Sequence, residues 1–445
     1  MSVAERPSPD DPQSSSEEQP QFFYGWVIVA IMGASGAVSM AMGSLNFGLF
    51  IKPMGDELGI GRAAFGWAQT ARQGAGALSS PIIGPLLDRF GSRAMLPFAA
   101  LATGLAMIGL ANMQYAWHLI VLFAVMGFVG MSGPGALITS VPVLKWFVRD
   151  RGRALAYMSL GIPVGALLFV PLTQILIDAV GWRMAWVILA IIGVTVIVPL
   201  GAIFLRRQPE DMGMIPDGGP PADDGSADGT VAASMAARSA ESEVSWSLHD
   251  AVRTTTLWRL VIVFSAVQLA SGTVALHRIA AFMDRGLDPT LVSFATAFDA
   301  VCAGAATFVF GMLVRRVPAR FLGAGGFLML AAASVMTIWA YNVPIMALSM
   351  AVFGLGIGGM MFLQNFIWAD YFGRESVGAI RGIVNPINLV VGGLGAPAAG
   401  YVRDITGSYD PAWWAGVALM TFGAVLTIMT PPPRRRDEGG GGATE

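Results

Sequence analysis

Gly84-Pro85-Leu86-Leu87-Asp88-Arg89-Phe90-Gly91-Ser92-Arg93 is the stretch on which the reading turns. It sets an aspartate, two arginines and two glycines between apolar runs at about 63–87 and 94–112, each long enough to cross a bilayer as a helix. A degraded copy, Gly311-Met312-Leu313-Val314-Arg315-Arg316-Val317-Pro318-Ala319-Arg320, lies 227 residues further on. The same spacing relates Gly127 to Gly354, and a spacing of 226 relates Pro171 to Pro397 and Asp178-Ala179-Val180-Gly181 to Asp404-Ile405-Thr406-Gly407. One offset shared by several pairs points to a tandem duplication, a carrier architecture when the repeats are apolar.

Working outward, apolar runs recur along the chain. Twelve are expected to cross a membrane, at about 24–51, 63–87, 94–112, 117–141, 154–178, 183–205, 258–283, 290–314, 319–341, 343–369, 377–403 and 411–430. Composition agrees. Of 445 residues, 55% are hydrophobic and 13% charged, whereas a soluble chain is nearer a quarter charged. Mean hydropathy is +0.63, and the 55 glycines suit transmembrane helices.

The same composition excludes function classes. Cys302 is the only cysteine, so there is no internal disulfide framework or thiolate cluster. Three histidines (His118, His249, His277) stand too far apart in sequence to suggest a metal site. Net charge is −2 without a dominant basic tract, against a nucleic-acid partner. Lys52 and Lys145 are the only lysines, and neither completes a phosphate loop. Without a nucleophile–base pair or cofactor fingerprint, neither an enzyme nor a cofactor is expected.

Residues 1–22 are polar and acidic and lack the basic start and apolar run of a secretory signal, so a disordered tail is expected there. Residues 23–205 should form one six-helix bundle and 258–430 the other. Residues 206–257, rich in Gly, Pro, Asp and Ser, should be a linker with a short helix near Trp246–Val252, and 431–445 a second tail. Arg89, Arg93, Lys145, Arg149, Arg151, Arg153, Arg206, Arg207, Arg315, Arg316, Arg320, Arg374, Arg381 and Arg434–Arg436 fall on one side. Only Lys52, Arg62, Arg183, Arg285 and Arg403 fall on the other. The positive-inside rule then places both termini and the linker in the cytoplasm of a multi-pass inner (plasma) membrane protein, expected as a monomer in the bilayer.

Gly84 to Arg93, written G-P-L-L-D-R-F-G-S-R, resembles the loop signature G-x-L-x-D-R-x-G-x-R of the major facilitator superfamily, and the resemblance covers the chain between its tails. Tyr24-Gly25-Trp26, and Trp146-Phe147-x-Arg149-x-Arg151 leading to Gly161 and Gly165, resemble the monocarboxylate and oxalate/formate branch. The resemblance implies an all-α membrane protein, twelve transmembrane helices in two pseudo-symmetric six-helix bundles. It also implies that the loop latches the cytoplasmic ends together in the outward-open state. The residues support the latch independently. Gly84 permits close helix approach, and Asp88, with Arg89 and Arg93, stands where it could meet a helix amino terminus or an arginine of the other half. Arg315 takes the aspartate's place in the second copy, so no latch is expected there.

Charges inside spans are costly and mark function. Arg72, Arg278 and Asp299 are three such charges. Arg72 and Asp299 lie about 15 Å, and Arg278 about 9 Å, below the outer ends of their spans at 1.5 Å per residue. Polar residues share helix faces with them: Gln69 with Arg72, Gln268 with Arg278, Thr296 with Asp299. Ser35, Ser39 and Asn46 form a stripe on span one, Asn385 and Asn388 one on span eleven. Gln364, Asn365 and Trp368 on span ten are further lining candidates, and the Ser and Asn stripes serve equally well as helix-to-helix hydrogen bonds. The expectation is that Arg72 or Arg278 holds a carboxylate through a two-pronged ion pair, with Gln268, Gln69, Asn46, Gln364, Asn365 and Asn388 as further contacts. Asp299 would couple transport to protons, because a carboxylate left alone in an apolar site takes a proton more readily than one beside an arginine. A static bridge from Asp299 to Arg278 or Arg72 is the alternative. His277 points about 100° away from Arg278 and should be packed. The glycines of spans four and ten (Gly127, Gly130, Gly133, Gly135; Gly354, Gly356, Gly358, Gly359) are candidates for bending, with tight packing as the alternative.

Within the resemblance, animal-type monocarboxylate transporters carry an arginine four residues after the span-eight aspartate. Asp299 matches the aspartate, and Ala303 stands where the arginine would be. The oxalate/formate antiporters use cations of spans eight and eleven, and span eleven here has Arg only near its ends. Arg278 or Arg72 would then replace the missing cation. The function expected is secondary transport of a small mono- or dicarboxylate by alternating access, proton-coupled or by exchange. Export of amphipathic or drug-like compounds, and a non-transporting membrane sensor or scaffold, are the alternatives.

Overall fold

The computed structural model describes residues 23–42, 44–129, 137–147, 150–206, 209–212, 214, 246–314, 316–373 and 377–433. The tail at 1–22, most of the linker and residues 434–445 therefore lie outside the described residues. Sixteen α-helices are described: α1 Gly25–Ser39, α2 Ser44–Leu58, α3 Arg62–Ala111, α4 Ala116–Phe128, α5 Leu137–Trp146, α6 Arg151–Ser159, α7 Gly161–Pro199, α8 Leu248–Arg253, α9 Thr255–Ala275, α10 Arg278–Asp284, α11 Pro289–Leu313, α12 Ala319–Ile338, α13 Val343–Phe372, α14 Val377–Gly393, α15 Gly395–Thr406 and α16 Asp410–Ile428.

These helices map onto twelve spans. Span one is α1 plus α2, joined through the 3-10 turn Met40–Met42. Spans two and three share α3, and five and six share α7, each broken by a glycine whose positive φ a side chain would resist: Gly91 (φ 72°) and Gly181 (φ 78°). Gly407, the repeat partner of Gly181, also has φ 78° and ends span eleven, so the duplication is visible in backbone geometry. Spans seven and eleven are each broken once, at Leu276–His277 and at Leu394. Polar caps start the second-half helices: Asp288 accepts from the Leu291 amide at 2.9 Å, and Asn342 from the Ile345 amide at 3.0 Å. Eight described helical stretches are long and apolar enough to cross a membrane as they stand. The 3-10 turn in span one, and Gln69, Arg72 and Gln73 in span two, explain why those two fall short; in span four, residues 130–136 lie outside the described residues. The short linker helix is α8, anchored by buried Trp246, whose amide donates to the Phe372 carbonyl at 3.1 Å.

Each half has its own apolar core, and the first also takes in Leu276, Ala280 and Ala396 of the second half. A smaller cluster joins them: Met40, Leu49, Ala166 and Val170 of the first half against Ile279, Phe282 and Val292 of the second. This seam lies toward the end opposite residues 23 and 433, called here the far end; the other is the tail end. Charge closes the far end. Asp284 receives Lys52 at 2.9 Å and Arg62 at 3.3 Å from the first half, with Arg403 at 3.9 Å. Asp404 accepts the amides of Arg62 (2.8 Å) and Ala63 (3.0 Å), so a carboxylate of span eleven caps the open start of α3. Below it Gly66 and Gly400 let spans two and eleven touch backbone to backbone. Lys52, on the part of α2 that extends past the apolar run ending at residue 51, is held above its ordinary pKa of 10.5, chiefly by its hydrogen bond to Asp284. A raised lysine keeps its contribution below 10.5 and loses it only as pH climbs through the higher value, so neutral pH leaves this closure intact.

Two expectations are corrected. Trp368 neither lines a cavity nor meets lipid: it is fully buried against Phe264 and Phe372. The span-ten glycines work by close approach, since α13 is unbroken and a Cβ at Gly354 or Gly358 would strike the carbonyl of Asp299 or Ala303. Gly127 packs likewise on Arg72; Gly130, Gly133 and Gly135 lie outside the described residues.

Asp284→Asn should weaken the far-end closure. Charge-assisted hydrogen bonds contribute about 1.5–3 kcal/mol, so the closed-to-open ratio should fall roughly ten-fold or more. The check is thiol labelling of a cysteine at Thr70, behind the closure, in a Cys302→Ser background: labelling from the far side should accelerate by that factor.

Candidate functional site

Span seven breaks at His277 and restarts as α10, so Arg278 projects from the first residue of a new helix. Its Nη2 donates to Asp299 Oδ2 of span eight at 2.7 Å, with the side chains 1% and 8% exposed. The Arg278 guanidinium carbon stands 4.0 Å from the centre of the Phe353 ring on span ten. Gly354, next along, has no side chain to keep Asp299 away. Three helices thus make one site, and its polar atoms are incompletely used. Arg278 Nε and Nη1 and Asp299 Oδ1 are buried without a hydrogen-bond partner. One prong of a fork that could grip a carboxylate is occupied, and the rest is held out of water at a cost in free energy.

His277 fixes the break. Its Nε2 donates to the Ala396 carbonyl at 2.8 Å, beside the break in span eleven, and its ring stacks on Tyr409 at 5.2 Å. It is packed, as its helical angle predicts.

The other candidates divide into two groups. Arg72 is buried in the first half near the Phe123 ring (6.0 Å), and Asp299 makes its ion pair with Arg278 rather than with Arg72. Gln69, one turn earlier, is also buried. Asn46 Nδ2 donates to the Ala41 carbonyl (3.1 Å) and Thr173 Oγ1 (2.7 Å), tying the break of span one to span five. In the second half the polar residues form a seam between spans seven, ten and eleven. Ser265 donates to Asn388 Oδ1 at 2.8 Å, and Gln268 to Gln364 Oε1 at 3.3 Å. Asn388 Nδ2 is buried without a partner.

Arg381 belongs to this seam, and sequence reading missed it by counting it among the topogenic arginines. It lies inside α14 and donates to Asn365 Oδ1 of span ten at 2.9 Å. The missed signal was periodicity: 381, 385, 388 and 392 repeat at 4-3-4, extending the asparagine stripe by one turn.

Of the latch residues, Arg93 donates to the Ala202 carbonyl (2.9 Å) and Arg89 stands 5.3 Å from the Phe90 ring, both within the first half. The side-chain surroundings of Gly84 and Asp88 lie outside the described residues. Among the described residues no group of His, Cys, Asp and Glu is placed to hold a metal.

The sequence family described as Major Facilitator Superfamily matches residues 31–282 and 260–444. The chain belongs to that superfamily. As a facilitator it is a membrane transporter and not an enzyme. Its curated relatives include monocarboxylate transporter 13 of Bos taurus, 23% identical over 93% of this chain and 91% of that one. Monocarboxylate transporter 11 of Homo sapiens is 24% identical over 92% and 83%. Among solved structures, that of the nucleoside transporter NupG superposes with TM-score 0.69 at 10% identity, covering 92% of this facilitator and 99% of NupG, a likeness of fold.

Removing one member of the buried pair should cost far more than removing both. Arg278→Leu or Asp299→Leu alone should destabilise the facilitator by about 3–5 kcal/mol, and the double variant should recover most of the loss. Thermal unfolding in detergent reads the cycle.

Proposed function

We propose that this facilitator carries a small organic anion, a mono- or dicarboxylate, across the inner (plasma) membrane, and that Asp299 couples the movement to a proton. One observation carries the proposal: a fully buried arginine whose fork is only partly engaged. A static bridge would use the remaining donors; a binding site leaves them for a guest. The monocarboxylate transporters among its relatives support the same class of substrate.

In this reading the tail end is cytoplasmic, the protein is a monomer, and the two bundles, 23–205 and 258–430, rock about the central pair. The closed far end and the exposed Asn365 and Asn385 at the tail side support a cytoplasm-facing state. An anion arriving from the tail side meets Arg381 and Asn365, then Asn388 and the Gln268–Gln364 pair, and reaches Arg278. The substrate carboxylate takes the free donors of the fork and competes for Nη2. Asp299, losing its partner in an apolar setting, takes up a proton, so that the loaded site carries no net extra charge. Arg278 and Asp284 are the first and last residues of α10, so displacement at the site moves the hub of the far-end closure on the same two-turn rod. Arg72 and Gln69 face the substrate from the first half, and Asn46 holds span one in place. Once the far end opens, Asp88, Arg89 and Arg93 latch the tail end.

Proteoliposome uptake of short monocarboxylates and dicarboxylates under an imposed pH gradient tests this. Arg278→Lys keeps the charge but loses the fork, and uptake should fall at least ten-fold, the effect of losing about 1.4 kcal/mol of transition-state binding. Asp299→Asn should retain exchange and lose gradient-driven accumulation. Parental accumulation in Asp299→Asn would make the carboxylate structural, and unchanged uptake in Arg278→Lys would remove the anion site.

A further inference from the structure

Spans one and five meet on glycine: a Cβ at Gly161 would strike the Gly33 carbonyl oxygen. That backbone contact leaves a trough between the two helices with a volume of about 380 Å³. Its floor is small, made by Gly33, Ala30, Ala34 and Ala37; its walls are Trp26, Tyr157, Leu160 and Val164. The trough opens away from the seam between the halves. Tyr157, Leu160 and Val164 belong to a stripe that continues through Leu167, Leu168 and Ile175, each 51–59% exposed. The stripe runs on toward the far end, where the halves are shut, while span five meets span eight on another face, with Pro163 against Gly304. A face that stays exposed through span five and carries only apolar side chains from Leu160 to Ile175, with the charged Asp178 reached only at the span's far end, fronts acyl chains.

The tail-side mouth of the trough is polar and carries an exposed cation. Arg153 lies one turn before Tyr157 on the same stripe, its side chain 65% exposed, with its guanidinium carbon 5.9 Å from the Trp26 ring centre. Asp150 is its ion-pair partner, at 3.4 Å. Trp and Tyr at such a mouth suit the headgroup level. From Trp26 to Ala37 the trough runs about 16 Å at 1.5 Å per residue, which is one leaflet of a hydrocarbon core about 30 Å thick.

We propose that this trough is a binding site for one anionic glycerophospholipid, its acyl chains laid along Ala30, Ala34 and Ala37 and its phosphate held by Arg153 beside Trp26 and Tyr157. Charge complementarity at the mouth and a leaflet-long apolar bed select that occupant over a protein partner. Both walls belong to the first bundle, so the lipid travels with that bundle and stiffens the contact between spans one and five. The site is independent of the substrate reading.

Native mass spectrometry of the full chain, released from micelles after stepwise delipidation with added phosphatidylglycerol or phosphatidylcholine, tests it. The parent protein should retain one phosphatidylglycerol after annular lipid is gone, and phosphatidylglycerol should raise its melting temperature more than phosphatidylcholine does. Arg153→Gln should lower retention roughly ten-fold, the loss of one charge-assisted contact. Ala34→Phe, which fills the trough from an exposed position, should lower it too, while Leu328→Phe on an exposed face of span nine should not. Equal retention of the two lipids, or retention unchanged in Arg153→Gln, would overturn the site. So would a second copy of the chain shielding the trough. Should Ala34→Phe fail to fold, Arg153→Gln, whose side chain stands clear of the core, decides alone.

Discussion

The structure depends on keeping two opposite charges, Arg278 and Asp299, out of water and out of lipid together. Each ion taken alone into a low-dielectric interior costs several kcal/mol, and their attraction offsets that cost only with good geometry. The chain supplies the geometry by local means. A helix break at His277 starts α10 at Arg278, Gly354 clears space around Asp299, and Phe353 presents its ring to the guanidinium. The compensation is incomplete, because donors of Arg278 and an acceptor of Asp299 remain without partners. A site that is nearly balanced responds strongly to a third charge.

The rest of the architecture makes that response directional. Each half is built round its own core, and the apolar contacts between them gather toward the far end, in the small joining cluster and where Leu276, Ala280 and Ala396 pack on the first half. There Asp284 gathers three cations and Asp404 caps α3, polar contacts that exchange readily with water once the halves separate. Because α10 joins the buried pair to Asp284 in two turns, the central charge and the closure share one rigid element. His277, tied to the break in span eleven, holds that element in place.

The fold was largely legible in the sequence because lipid imposes simple rules on length, charge and repeat. The loop at Gly84–Arg93 and the offset shared by Gly181 and Gly407 led to the duplicated bundle, and the two glycines adopt the same backbone geometry. The pairing of Arg278 with Asp299 was one of two bridges that spacing allowed, and packing decided it. What stayed hidden depends on helix breaks and on azimuth. A twenty-residue apolar run does not announce that it restarts at Arg278, or that Asn46 turns its amide toward Thr173. Trp368 looked amphipathic in the sequence and is core, because aromatic neighbours on spans seven and ten enclose it. Arg381 passed for a topogenic charge because depth was counted from the span end and not along the stripe it begins.

The most direct test is the proton balance of binding itself. Purified protein in weakly buffered detergent, mixed with a saturating monocarboxylate in the presence of a pH indicator dye, should take up about one proton for each substrate bound, as Asp299 surrenders Arg278 to the guest. The solution should turn alkaline by that amount, and Asp299→Asn should bind without the change. Substrate binding to the parent with no proton uptake, or an equal uptake in Asp299→Asn, would contradict the account.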